Sequence, residues 1–259
     1  MNHLTALART VRWGTNICAE AYETEVMITW IVDNKLWLIL LVGVVFNSYW
    51  IYQYGRKLQI NWWLSILLSI VHMICAVLCT KLFALIEGAS GGMSSYGGLF
   101  FLPILFCLSA LATKRSVTYL CDLFTIPSIV IVFCARCNCM LSGCCLGAII
   151  PGTNEVRWPI REIELLFYVV LYLVLRNKIA VPRFKGKLCF IYMISYGVFR
   201  FIFEWLRDND AVIGVFHMAH IWSLLAIFIG TAVIYMINKF NFKTTKSYKY
   251  KKTYEKETH

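Results

Sequence analysis

Residues 195–210 read SYGVFRFIFEWLRDND, a largely apolar and aromatic run that contains charged side chains. Tyr196, Arg200, Glu204 and Arg207 follow one another at intervals of four, four and three residues. At about 100° per residue, these side chains share one face of an α-helix. The spacing predicts either an intrahelical ion pair that lowers the cost of burial or a cationic stripe that lines a polar cavity. Such a stripe suits an anion such as phosphate, which a planar guanidinium binds through two parallel hydrogen bonds.

The rest of the chain is strongly apolar. It has 259 residues, of which 59% are hydrophobic and 15% charged, and its mean hydropathy is +0.66. A soluble domain of this length has too little interior to bury so much apolar surface, so the composition indicates a membrane protein. A helix crosses a bilayer with about 20 apolar residues, and seven runs approach or reach that length, although the fifth is short. The runs are 36–54, 62–80, 93–112, 117–135, 159–175, 188–206 and 211–237.

The basic residues favour one orientation of these spans. If the N-terminus is outside, most of the 25 lysines and arginines fall on the inner side, at 56–57, 114–115, 176–187 and after residue 238. This is the asymmetry of the positive-inside rule. The sequence therefore predicts an all-α integral membrane protein of about seven transmembrane helices, with the N-terminus outside and the C-terminus in the cytoplasm. The net charge of +11 is then mainly a topology signal, and no nucleic-acid partner is expected.

The same pattern divides the chain into three parts. Residues 1–35 lack the continuous apolar core of a signal peptide and are expected to form an extracytoplasmic or interfacial segment. Residues 36–237 form the predicted membrane domain. Residues 238–259, with seven lysines and few core-forming side chains, are expected to be a flexible basic tail in the cytoplasm.

Two irregular segments fall on the same predicted side as Arg207. Arg136 ends the fourth apolar run, and residues 137–159, CNCMLSGCCLGAIIPGTNEVRWP, are too polar and glycine-rich to face lipid as a helix. Residues 87–101, EGASGGMSSYGGLFF, carry a polar SSY triplet between glycines. Irregular backbone at membrane depth is tolerated where protein buries it or where it lines a cavity. Because both segments and Arg207 are expected on the same side of the membrane, we predict that they form one outward-facing site.

Five segments, in this order, resemble motifs of the prolipoprotein diacylglyceryl transferase family. They are GGMSSYGGL (91–99), ARCNCMLSGCCLG (135–147), WPIREIE (158–164), YGVFRFIFEWLRDND (196–210) and MAHIWS (218–223). The resemblance covers roughly residues 40 to 237 and is most specific in the arginine-bearing segment. It implies a multi-pass transferase of the bacterial plasma (inner) membrane. Such an enzyme moves the diacylglyceryl group of phosphatidylglycerol onto the lipobox cysteine of a secreted precursor and releases glycerol phosphate. No cofactor and no metal are expected.

The resemblance also implies roles for individual residues. Arg136 and Arg200 would hold and stabilise the phosphate, Glu204 would orient an arginine, and Tyr96 stands where the family has its catalytic-segment histidine. We therefore take these four residues as candidate catalytic residues. The implied substrate-binding residues are Gly97, Gly98, Gly143, Gly147, Glu164, Tyr196, Arg207 and His220.

The sequence departs from the family's motifs at several polar positions. Besides Tyr96, Cys139 and Ser142 stand at two asparagine positions and Cys144 at a glutamate position. The arginines thus persist while a proposed base is lost, because a tyrosine with a pKa of about 10 is a poor base; His220 is a possible substitute. Two alternatives stay open: a phospholipid-dependent transferase with a different acceptor, and a non-catalytic lipid-binding protein that kept the fold.

Five of the eleven cysteines cluster at 134, 137, 139, 144 and 145. Their spacing lacks the two separated C-x2-4-C pairs that are typical of structural zinc sites. The expectation is that they pack or line the pocket. An outward-facing disulfide, a metal site and covalent relay through Cys144 or Cys145 stay open, as does a thiol redox function.

Overall fold

The computed structural model describes residues 35–88, 92–153, 155–208 and 216–257. Within these ranges the chain forms seven α-helices and no strand; of two isolated β-bridges, one lies within the loop after α4 (Ile149–Arg157) and one joins that loop to Arg207. The helices are α1 Lys35–Gly55, α2 Trp62–Ile86, α3 Ser95–Ala112, α4 Val117–Leu141, α5 Ile160–Lys178, α6 Leu188–Phe203 and α7 Met218–Glu257. Short 3-10 turns lie at Arg56–Leu58, Pro182–Phe184 and Glu204–Leu206. The predicted interfacial segment lies outside the described residues, apart from Lys35.

The chain divides into two compact units. The first is Met1–Val42, of which only the beginning of α1 is described. The second is Gly43–His259, which contains the remainder of α1 and the other six helices.

Five helical segments are long and apolar enough to cross a membrane: Trp62–Ile86, Ser95–Ala112, Val117–Leu141, Leu188–Leu206 and Met218–Lys239. Many of their leucine, isoleucine and valine side chains are exposed on the outside of the bundle, where lipid chains would cover them. The expectation of an all-helical, multi-pass membrane protein is confirmed at this level. The count of seven spans and the orientation stay predictions.

Two helix ends differ from the sequence expectation. α4 continues to Leu141 rather than ending near residue 135, because its polar residues 136–139 are half-buried against the bundle instead of facing lipid. Two residues after this end lies Gly143, whose φ of 67° is readily adopted by glycine and suits the position that follows a helix C-terminus. α7 continues to Glu257, so the backbone of the segment expected to be a flexible tail is helical.

Pro127 lies inside α4 without ending it. A proline has no N–H, so the carbonyl of Leu123, four residues earlier, loses its helical partner. The indole Nε1 of Trp50, in α1, donates a hydrogen bond of 3.1 Å to that carbonyl. Because lipid offers no hydrogen bonds, this contact replaces the one that the proline removes.

Successive helices run in opposite directions. At one end of the bundle, the C-terminal ends of α2, α4 and α6 therefore lie beside the N-terminal ends of α3, α5 and α7. We call it the site end, because every residue predicted for the site lies there, and we call the other the basic end. Close packing fixes the helices: a Cβ at Gly197 in α6 would lie 2.9 Å from the Ser223 carbonyl oxygen in α7.

Candidate functional site

A cavity of about 550 Å³ opens at the site end. Its walls come from the beginnings of α3 and α7, the ends of α4 and α6, and the loop that follows α4. The side chains in its walls that bear on function are Glu87, Ser95, Tyr96, Arg136, Cys144, Cys145, Tyr196, Arg200, Glu204, Arg207, Asp208 and His217. The chain therefore brings together residues that are more than 100 positions apart in sequence.

Glu164 joins two arginines from different parts of the chain. Its Oε1 lies 2.9 Å from Nε of Arg136, and its Oε2 accepts a hydrogen bond from Nη2 of Arg207. The hydroxyl of Tyr168 donates to Oε1 at 3.4 Å. The Glu164 side chain is 1% exposed, so a buried carboxylate holds both guanidiniums in fixed positions.

Glu204 forms the second centre of this network. Its Oε2 lies 3.2 Å from Nη2 of Arg200 and 3.7 Å from Nε of Arg207, and its Oε1 lies 4.0 Å from Nδ1 of His217. The predicted pair between Arg200 and Glu204 is present. Arg207 contacts both carboxylates, so three guanidiniums and two carboxylates form one network with one excess positive charge.

Several donors in this network have no hydrogen-bond partner among the described residues. They are Nε and Nη1 of Arg200 and the hydroxyl of Tyr196, and both side chains lie in the cavity wall. Buried polar atoms in proteins nearly always have partners. Unpaired donors beside an excess positive charge are what an anionic group with several acceptor oxygens requires.

Tyr96 lies in the cavity wall, but other groups already engage its hydroxyl. That hydroxyl donates to the carbonyl oxygen of Ala219 at 2.8 Å and shares a hydrogen bond of 2.7 Å with Oγ of Ser223. The side chain is 3% exposed. The hydroxyl thus joins the beginning of α3 to α7.

His220 lies beside the cavity rather than in its wall. Its Nδ1 accepts a hydrogen bond of 3.1 Å from the backbone N–H of His217, and its ring lies 4.5 Å from that of Trp205. The residue is 1% exposed. These contacts are those of a packed histidine.

The four predicted glycines have different surroundings. A Cβ at Gly97 would lie 2.2 Å from the carbonyl oxygen of Cys79, and one at Gly147 would lie 2.2 Å from that of Trp158. Both glycines therefore permit close backbone contacts. Gly98 has ordinary space around it, and only Gly143 lies in the cavity wall.

The loop after α4 is fastened to the residues that follow α6. The Ala148 N–H donates to the Leu206 carbonyl at 2.8 Å. Nη1 of Arg157 donates to the Gly147 carbonyl at 3.0 Å and to Oδ2 of Asp208 at 2.6 Å. These bonds hold the loop beside the Arg207 network.

Among the cavity-wall residues that sequence reasoning did not assign to the site are Ser95, His217, Glu87 and Asp208. Oγ of Ser95 accepts a hydrogen bond of 2.7 Å from Nη2 of Arg136, and its position next to Tyr96 was the available signal. Burial raises the pKa of Glu87 above its usual range, against the opposing effect of a hydrogen bond from Ser94. Glu87 therefore titrates closer to neutral pH than an exposed glutamate does.

Three thiols also meet at the cavity. The sulfur atoms of Cys139, Cys144 and Cys145 lie within 4.8 Å of one another, and the described cysteines are all free. Nη1 of Arg136 lies 3.8 Å from Sγ of Cys145. A hydrogen bond from the Cys139 thiol lowers the pKa of Cys145 below its usual range, against the effect of burial, and Arg136 adds to the lowering.

Comparisons with a family model and with individual proteins point to the same family. The family model described as prolipoprotein diacylglyceryl transferase matches residues 37–236. Proteins named phosphatidylglycerol–prolipoprotein diacylglyceryl transferase are similar to this chain. One from Pseudoalteromonas translucida is 29% identical over 56% of this chain and 59% of its own length. The second such protein of Clostridium perfringens is 29% identical over 57% of this chain and 63% of its own length. The match thus spans about three fifths of these relatives.

Proposed function

Because the chain belongs to the prolipoprotein diacylglyceryl transferase family, we propose that it is a membrane transferase with phosphatidylglycerol as donor. It moves the diacylglyceryl group onto the lipobox cysteine thiol of a secreted precursor and releases glycerol phosphate. The names of its relatives support this donor and this class of acceptor.

The observation that carries the proposal is the set of unpaired donors on Arg200 and Tyr196, in a cavity wall that also presents the guanidiniums of Arg136 and Arg207. A phosphodiester headgroup carries one negative charge and several acceptor oxygens. It therefore balances the charge of the Arg136–Arg200–Arg207 network and supplies partners for the unpaired donors.

The reaction forms a bond between the acceptor sulfur and a glyceryl carbon and breaks the bond from that carbon to a phosphate oxygen. The electron pair leaves with the phosphate, which gains negative charge. Arg136 and Arg200 stabilise this charge, and Arg207 contributes a third positive group. Glu164 and Glu204 act by positioning the guanidiniums, since each carboxylate contacts two of them.

Tyr96 has a positioning role in this proposal. Its hydroxyl is bonded to α7 at Ala219 and Ser223, which supports a contribution to cavity shape rather than proton abstraction. A tyrosine bonded in this way supplies no base for a thiol, which favours a second candidate function, in which the protein uses the phospholipid with an acceptor other than a lipobox cysteine. In this scheme His220 packs behind the cavity wall and stabilises it. Gly97, Gly98, Gly143 and Gly147 shape the backbone around the headgroup.

The proposed topology has seven spans, with the N-terminus outside and the C-terminus in the cytoplasm of a bacterial cell. α1 has 21 residues and α5 has 19, which at about 1.5 Å per residue suffice to cross a hydrocarbon core. The loops of the basic end carry Arg115, Arg183 and Lys185, in keeping with the positive-inside rule. The site would then face outward in the plasma membrane, where secreted precursors arrive. Residues 36–237 form the membrane domain and 238–259 the cytoplasmic tail.

Complementation tests the function. The chain is expressed in cells depleted of their own diacylglyceryl transferase, and a labelled lipoprotein precursor is followed by gel shift and mass spectrometry. We expect a diacylglyceryl adduct on the lipobox cysteine. It should be lost in Arg136→Ala and retained in Arg183→Ala, which removes an exposed positive charge from the basic end.

Membrane expression of each variant is confirmed in parallel. If the well-expressed wild type gives no adduct on a lipobox cysteine, the main proposal is wrong. A diacylglyceryl adduct on another molecule would then establish the second candidate function. Phosphatidylglycerol binding without any transfer would identify a lipid-binding protein.

A further inference from the structure

We propose that Cys139, Cys144 and Cys145 form a three-thiolate site for a thiophilic metal ion such as Zn²⁺, with an open fourth position that binds the acceptor thiol. The first half is a statement about metal binding alone. The second half rests on the proposed transferase function.

The sulfur positions suit such an ion. They lie within 4.8 Å of one another. Tetrahedral zinc binds thiolates at about 2.3 Å, which places its sulfur ligands about 3.8 Å apart. The three side chains therefore reach this geometry with side-chain rotations and no rearrangement of helices. Three protein ligands and one open position are the arrangement of catalytic zinc sites.

The backbone that brings the thiols together is unusual. After α4 the chain turns back at Gly143, with a φ of 67°, and Cys145 has a φ of 58°. A non-glycine residue seldom adopts this left-handed conformation, and such residues concentrate at functional sites. The Cys144 N–H donates to the Cys139 carbonyl at 3.2 Å, which folds the neighbouring thiols back onto the helix end.

The surrounding charge fits a metal thiolate. Three thiolates and one divalent cation together carry one negative charge. The Arg136 guanidinium, 3.8 Å from Sγ of Cys145, lies where it offsets that charge. The sequence spacing left a metal site open without favouring it, because one ligand comes from a helix and two come from neighbouring loop positions.

The place of the three thiols in the cavity indicates a role for the open fourth position of the metal ion. Cys144 and Cys145 lie in the same cavity wall as Arg136 and Arg200. A thiol that binds a metal ion loses its proton, which here passes to solvent. The bound sulfur then forms a bond to the glyceryl carbon as the carbon–oxygen bond to phosphate breaks. The electron pair leaves with glycerol phosphate, held by the arginines. Thiol activation of this kind requires no base at Tyr96.

The first experiment measures metal binding without any turnover. Full-length protein in lipid nanodiscs is reduced with a phosphine, stripped with a chelator and titrated with Co²⁺, a spectroscopic probe for zinc sites. We expect one ion per chain and a thiolate-to-cobalt charge-transfer band. Cys139→Ser, Cys144→Ser and Cys145→Ser should each weaken binding by about tenfold or more, the scale on which even outer-shell changes act.

Cys137→Ser is the matched control, because Cys137 lies in the same helix but outside the three-thiol cluster. It should bind as the wild type does. Maleimide labelling read by mass spectrometry checks the site without any substitution: Zn²⁺ should protect the three clustered cysteines and leave Cys137 reactive. Absence of stoichiometric binding by reduced protein, or equal binding by the Cys145→Ser variant, overturns the metal site.

The second experiment tests the fourth position. A peptide with a lipobox cysteine should intensify the charge-transfer band of the cobalt-loaded protein, and its serine counterpart should not. No change overturns the role in acceptor binding. Transfer at full rate by chelator-stripped protein overturns it as well and leaves the proposed function intact. Metal and peptide binding without transfer would instead overturn the proposed function and leave the site standing.

Discussion

α4 carries a charged side chain near each end, the buried Asp122 and the mostly buried Arg136, and the two have different hydrogen-bond partners. At the basic end, Asp122 accepts hydrogen bonds from the backbone N–H groups of Gly186 and Leu188, at 2.5 and 2.9 Å. At the site end, Arg136 belongs to a network with excess positive charge and unpaired donors. The carboxylate has hydrogen-bond partners within the protein, whereas the described residues leave donors of Arg200 and Tyr196 in the arginine network without partners.

The comparison shows how to separate structural from functional charge in a membrane bundle. Both groups are costly to bury, so burial alone does not distinguish them. What differs is whether the protein's own atoms complete the hydrogen bonds. Asp122 fixes the loop before α6, and removing it should reduce stability. The arginine network is built around a site, and removing an arginine should reduce binding and catalysis.

The largest effect is expected at Arg200. Arg200→Ala removes the unpaired donors and should lower the transfer rate by about 100- to 1000-fold, the cost of losing one preorganised donor group. Arg200→Lys keeps the charge but loses the planar fork, so an intermediate rate is expected. Transfer is measured with purified protein in nanodiscs containing phosphatidylglycerol. A normal rate for Arg200→Ala would contradict the functional assignment of the site end.

The opposite result is expected at Asp122. Asp122→Ala leaves two buried N–H groups without an acceptor and should lower the free energy of unfolding by about 1–3 kcal/mol. Thermal unfolding in detergent measures this loss. The transfer rate per folded molecule should equal that of the wild type. A selective loss of transfer with unchanged stability would show that the basic end takes part in function.

The glycines of the site end provide a matched pair. Gly97→Ala places a methyl group against the Cys79 carbonyl and should destabilise the fold by about 1–3 kcal/mol, the usual cost of overpacking. Gly98→Ala has room and should be nearly neutral. Unfolding of the two variants is compared under identical conditions. Equal stability would show that α2 and α3 are not in close contact at Gly97.

The smallest effect is expected at Glu87. Burial raises its pKa, so as the pH falls its carboxylate becomes neutral at a higher pH than an exposed glutamate does. This removes negative charge from a cavity that also contains Arg200, Glu204 and His217, and anion affinity should rise a few-fold. The measurement is the difference between wild type and Glu87→Gln in the pH dependence of phosphatidylglycerol binding, because the other ionisable groups of the cavity contribute equally to both proteins. An identical pH dependence would exclude Glu87 as a contributor.

The sequence predicted the features that depend on local pattern. The starts of α2, α4 and α6 coincide with the starts of apolar runs, and the pair between Arg200 and Glu204 follows from helical spacing. The link from Glu164 to both Arg136 and Arg207 could not be read from spacing, since three separate segments must first come together. The surroundings of Gly97 were hidden for the same reason, because a close contact between helices leaves no periodic signal.

Trp50 and Pro127 carry a consequence for biosynthesis. The indole of α1 supplies the hydrogen bond that the Leu123 carbonyl in α4 loses to the proline. In the proposed seven-span topology, α1 leaves the ribosome first, so the donor is already in the bilayer when α4 inserts. In a rearranged chain in which α4 inserted before α1, the Leu123 carbonyl would stay without a hydrogen bond in lipid until Trp50 was inserted. The order of the helices along the chain thus matches the order in which their polar groups need one another.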